Sequence, residues 1–189
     1  MILTFLLAAQ LAAAADDDRI YRIGGESHVL RMQLQWDYFG DPANRARLVG
    51  DGFAPACAAH FLALRRVEPR YAEGFRPIVI ASVRAVVPPE RLAEAQDGSM
   101  FLGSGLAAWQ SPVRAEIERR AEILFERART DHQRLAEEEL AARRDAWPGR
   151  VRTGDRTRMN VAQLATACAI YFGDNREAIL ATSNAGESR

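Results

Sequence analysis

Leu30-Arg31-Met32-Gln33-Leu34-Gln35-Trp36-Asp37-Tyr38 is the stretch on which the fold turns. Apolar side chains at 30, 32, 34, 36 and 38 alternate with polar ones, a period of two that predicts a strand with one buried and one wet face. Upstream, Ile20-Tyr21-Arg22-Ile23 reads as a shorter strand. Gly24-Gly25-Glu26-Ser27 lies between the two and supplies turn chemistry, so the pair reads as a hairpin. Downstream, Ile78 to Val87 is rich in β-branched residues, nearly all apolar, and ended by Pro88-Pro89; it predicts a more buried strand.

Helical signals fill the rest. Asp41-Pro42 offers a cap followed by a residue suited to a first turn, for a short helix to about Val49. A second helix is expected from about Ala54 to Val67, with Cys57, Phe61 and Leu64 at three- and four-residue steps. Pro89 to Ala95 reads as a short helix, and Asp97 to Gly105 as a glycine-punctuated loop. The longest element runs from Ser111-Pro112 to about Trp147, with Val113, Ile117, Ala121, Leu124, Ala128, His132 and Leu135 on one stripe. Its other faces carry mixed charge, including Glu116 with Arg120 and Glu139 with Arg143 at i,i+4 spacing. A last amphipathic helix covers about Asn160 to Phe172, with a short one near Arg176–Leu180. Together these predict an α+β fold: a small antiparallel sheet, a hairpin plus one further strand, covered by helices including one long charged amphipathic helix.

The N-terminus, Met1-Ile2-Leu3-Thr4-Phe5-Leu6-Leu7-Ala8-Ala9-Gln10-Leu11-Ala12-Ala13-Ala14-Ala15, meets three aspartates at 16–18. This is the layout of a secretory signal, with Ala13 and Ala15 as the small residues a signal peptidase admits, and cleavage is expected before Asp16. The apolar run is shorter than the roughly 20 residues a membrane-spanning helix needs. No cysteine follows the cleavage region, which argues against a lipid-anchored form. Residues 16–181 are then expected as a single domain and 182–189 as a disordered tail, in a protein that is periplasmic or secreted.

The chain has 25 basic and 25 acidic residues, and every basic one is arginine. In an oxidising compartment its two cysteines, Cys57 and Cys168, are most simply paired in a disulfide that closes a long loop.

No motif of catalysis or cofactor binding stands out. His28, His60 and His132 lack a second ligand at short helical spacing, so no metal site is expected. Ser27-His28 is not set in a nucleophile elbow, and Gly103-Ser104-Gly105 lacks the lysine of a phosphate loop. Glu137-Glu138-Glu139 reads as a solvated helix face. The one charge asymmetry is 143–158, where six arginines face two aspartates around Trp147. Arg150, Arg152, Arg156 and Arg158 with Trp147 are therefore the candidate binding residues, for a phosphate, carboxylate or sugar acid of the cell envelope or for a protein partner. Export argues against nucleic acid. The sequence thus points to a non-enzymatic binding or interaction module without a cofactor; the alternative is an envelope hydrolase whose site is assembled from distant residues.

Overall fold

The computed structural model describes residues 16–25, 28–96, 101, 103–143, 147–148 and 156–187, with side chains to residue 182. Every regular element among them is helical, and there is no strand. The order is α1 (16–24), α2 (His28–Gly40), α3 (Pro42–Val49), α4 (Phe53–Val86), α5 (Pro89–Glu94), a 3₁₀ turn (Ala107–Trp109), α6 (Gln110–Ala142), α7 (Val161–Asp174) and α8 (Arg176–Glu187). The expected α+β fold is overturned: all three segments read as strands are helical.

The hairpin fails on which side chains are buried. In α2 the residues withdrawn from water are Val29, Leu30, Leu34, Tyr38 and Phe39, at steps of one, four, four and one, whereas Trp36 is 48% exposed. That is a helical stripe. Positions 30, 34 and 38 satisfy both periods, and Val29, Trp36 and Phe39 separate them. The glycines thought to turn a hairpin instead end a helix. Gly25 takes a φ of +100° and donates its N–H to the Arg22 carbonyl at 3.1 Å, a left-handed C-terminal cap that glycine enters without a Cβ penalty. The rest of the expected turn, Glu26 and Ser27, lies outside the described residues.

The third expected strand, 78–87, is the end of α4, a helix of 34 residues. Phe75, Val79, Val83 and Val87 are buried at steps of four, so packing of one stripe overrides the β preference of the valines and isoleucines. Ser82 is buried in the same stretch, and its hydroxyl donates to the Ile78 carbonyl at 2.8 Å, one helical turn back. Pro69 and Pro77 stand inside the helix, where each removes a backbone donor. The helix expected to stop at Val67 continues past both.

The described residues fall into two compact units. One comprises residues up to Leu30 together with Tyr71–Leu124. Here α1 buries Ile20 and Ile23, and its Gly24 lies so close to α4 that a Cβ would run into the Val79 side chain. Asp16 and Asp17 pair with Arg84, and Asp18 pairs with Arg76, whose guanidinium lies 4.9 Å from the centroid of the Tyr21 ring. Arg19 donates to the carbonyls of Leu92 and Ala95. Of the expected loop at 97–105 only 101 and 103–105 are described, and there the Ser104 hydroxyl donates to the Phe101 carbonyl at 2.9 Å.

The other unit comprises Arg31–Arg70 and the residues from Phe125 onward. Asp41 caps α3 by accepting from the backbone of Ala43 and Asn44, both at 2.9 Å. Asn160 and Gln163 form a reciprocal capping box on α7. Ala56 to His60 and Leu62 to Leu64 are buried on every side of α4, as befits a core helix. The α6 stripe runs as expected through His132 and Leu135, both buried. Helix α8 extends to Glu187.

Candidate functional site

Three features of the second unit bear on function. The first is the covalent link between α4 and α7. Cys57 and Cys168 form a disulfide across 111 positions of sequence, with Cα atoms 5.4 Å apart, and neither residue is exposed. Each sits on the buried stripe of its helix, which is why the two sulfurs meet.

The second is an aromatic and imidazole cluster. The His60 ring stacks on Tyr38 with centroids 4.7 Å apart and meets the His132 ring edge-on at 4.9 Å; Phe39 and Phe61 each lie 5.0 Å from His60. His132 Nε2 lies 3.3 Å from the His60 carbonyl, and the Tyr38 hydroxyl donates to the Ala56 carbonyl at 3.0 Å. Neither ring nitrogen of His60 has a hydrogen-bond partner. Burial, with His132 beside it, holds His60 well below the usual histidine range. Burial also lowers His132 to about 4, against the opposing pull of its contact with the His60 carbonyl. Tyr38 is pushed up by burial. Both imidazoles are therefore neutral at pH 7.

An open groove of about 690 Å³ adjoins this cluster, lined among others by Asp37, Asp41, Arg129, His132, Gln133 and Arg134. Most of its polar groups are engaged. Asp41 caps α3, Arg129 pairs with Glu126, and Arg134 pairs with Asp131 and Glu138. Gln133 accepts from the buried Asn44 at 3.1 Å. Burial raises Asp37, with Arg129 and a hydrogen bond from Gln33 pulling the other way. His28 is exposed at the start of α2.

The third feature is the corner where α4 begins and α7 ends. The Arg156 guanidinium lies 4.4 Å from the Phe53 ring centroid, Phe53 meets Tyr171 edge-on at 6.1 Å, and the Tyr171 hydroxyl donates to the Pro148 carbonyl at 2.7 Å. Arg156 and Trp147 were both singled out by charge and aromaticity. Of the two, Arg156 is the one set against this pair of rings. Buried Nε and Nη1 of Arg156 and buried Nε1 of Trp147 have no hydrogen-bond acceptor. Arg158 is engaged within the protein. Arg150 and Arg152 lie outside the described residues.

The arginine-rich segment is not uniformly available. Arg143 pairs with Glu139 and donates to the Thr182 carbonyl at 3.1 Å. Glu139, read as solvated, is in fact buried, and Arg66 pairs with it from the other side at 3.3 Å. The rest of α6 presents a ladder of self-paired charges, among them Arg114 with Glu118 and Glu116 with both Arg119 and Arg120. Hydrogen bonds from those two arginines lower Glu116 to about 2.

The Tyr38–His60–His132 cluster was missed from sequence. Its one legible sign is that His60 stands three residues after Cys57 and four before Leu64, on the face that reads as core. Among the described residues no group of His, Cys, Asp and Glu is placed to hold a metal ion, and no helix is long and apolar enough to cross a membrane. No family model, curated protein or solved structure matches the chain.

Proposed function

We propose that this chain is an exported protein, periplasmic or secreted, whose disulfide-stapled helical scaffold is a non-enzymatic binding module for an anionic component of the cell envelope. The observation that carries the reading is the Cys57–Cys168 bridge, buried in the core of its unit. A structural disulfide of this kind persists where the surroundings are oxidising, which agrees with the apolar, alanine-ended leader. The contacts of Asp16, Asp17 and Asp18 with Arg84 and Arg76 add support. A chain cut before Asp16 would keep all of them.

Binding is favoured over hydrolysis by the state of the histidines. His60 and His132 are buried among rings, and the carboxylate of Asp41 is committed to the first turn of α3. The test is to recover the native polypeptide from fractionated cells, sequence its N-terminus and titrate its thiols under denaturing conditions. A start at Asp16, or one residue earlier, without free thiol in the exported fraction is the expected result. A polypeptide starting at Met1 with two titratable thiols, found in the cytosol, would overturn the proposal.

A further inference from the structure

We infer that the open groove along α2 and α6 is a binding site for an aliphatic ammonium ligand, a polyamine or a lysine-like chain. The inference goes beyond the reading of the protein as an envelope module: it concerns a cation, and it stands whether or not the chain is exported.

The groove holds about 690 Å³, room for a small organic molecule, and all of its walls belong to the second unit. Its hydrogen-bonding capacity is one-sided. The donors along it already have acceptors in the protein. Arg129 pairs with Glu126, and Arg134 with Asp131 and Glu138. The Thr130 hydroxyl donates to the Glu126 carbonyl at 2.9 Å, the Tyr38 hydroxyl to that of Ala56 at 3.0 Å, and the Gln133 amide to Glu137 at 3.5 Å. The acceptors are only half used. Asp37 and Asp41 are both partly open to solvent. Asp37 offers Oδ1 to Gln33 at 3.1 Å, and Asp41 offers Oδ1 to the N–H groups of Ala43 and Asn44. The Oδ2 of each has no hydrogen-bond partner among the described residues.

His132, only 2% exposed, adds a third acceptor to the groove wall. Its Nε2 lies 3.3 Å from the His60 carbonyl, an oxygen that only accepts. The proton of the neutral ring therefore sits on Nε2, and Nδ1 keeps its lone pair. No hydrogen bond reaches that nitrogen among the described residues, whereas buried polar atoms are ordinarily paired.

The charges also favour a cation. Asp37 and Asp41, with the acidic partners Glu126, Asp131 and Glu138, set five carboxylates against two guanidiniums. Burial raises Asp37 although Arg129 and the Gln33 hydrogen bond pull it down, so the protein's own groups leave this carboxylate under-compensated. The Asp41 N–H donates to the Asp37 carbonyl at 3.1 Å, which sets the two acids one helical turn apart. An ammonium carries three donors and no acceptor, the complement of what the groove offers. Leu34 and the Tyr38 ring supply apolar wall for a methylene stem, which a metal ion could not use.

The experiment titrates the native, oxidised protein by calorimetry with spermidine, with Nα-acetyl-lysine amide, with magnesium chloride and with succinate. Saturable binding of an amine is expected, at least tenfold tighter than magnesium and weakened by added salt, with none for succinate. Whether spermidine or the lysine amide binds tighter tells a free polyamine from a peptide side chain. Asp37→Asn and Asp41→Asn should each weaken binding tenfold or more. Both keep a side-chain oxygen, for Gln33 in one case and for the cap of α3 in the other, and far-UV circular dichroism checks their fold. Glu177→Gln, a charge loss on α8 outside the groove lining, should leave the affinity unchanged. Undiminished binding in the two folded aspartate variants, an equal loss in Glu177→Gln, magnesium held as tightly as the amines, or no amine bound at all would overturn the site.

Discussion

His60 and His132 show how one side chain's surroundings set a property of the protein. Both imidazoles are buried, and both titrate below the ordinary 6.5 because burial penalises the charged ring. Below pH 6.5 the unfolded chain takes up protons that the folded core refuses. Stability is therefore fully present above that value and falls as the pH drops toward about 4, where His132 protonates within the fold. The fall for His132 alone is on the order of 3 kcal/mol, from the size of its shift. Urea midpoints measured at pH 7.5, 5.5 and 4.5 should decrease in that order, and His132→Phe should flatten the decline. An equal slope in both proteins would mean that other groups govern acid sensitivity. Arg156 tells a similar story: charge marked it in the sequence, but only the fold sets its guanidinium over the Phe53 ring.

At the scale of the element, α2 holds the sharpest contrast between two readings of the same letters. As a strand, Trp36 and Leu34 would share the buried face; as a helix, Leu34 is buried and Trp36 is half out in water. Leu34→Ala should then cost about 2–5 kcal/mol and Trp36→Ala well under half as much. Chemical denaturation of the two variants decides it, since comparable losses would restore the alternating pattern. Two helix starts were legible: Asp41-Pro42 caps α3 as read, and α7 begins at the expected place beside Asn160, because capping is a local bargain between a side-chain oxygen and the next N–H groups. The end of α4 was not. Proline ordinarily halts a helix, yet Pro69 and Pro77 lie within this one, where burial of Phe75, Val79 and Val83 on one stripe offsets the lost bonds.

For the molecule as a whole, the covalent link carries the largest single expected effect. A bridge closing a loop of 111 residues stabilises by about 4–5 kcal/mol in the chain-entropy account. Reduction, or a Cys57→Ala/Cys168→Ala pair, should lower the denaturation midpoint accordingly, read by circular dichroism with and without dithiothreitol. A midpoint indifferent to reduction would show that the helices around the bridge hold without it.

By itself the sequence determined the local matters: where α3 and α7 start, and the α6 stripe. Only the tertiary structure decided that there is no sheet among the described residues, that Glu139 is buried, and which arginine faces an aromatic ring. The physical reason is degeneracy. Leu30, Leu34 and Tyr38 fit a period of two and a helical turn equally well, so the choice passes to whatever packs against them from far along the chain.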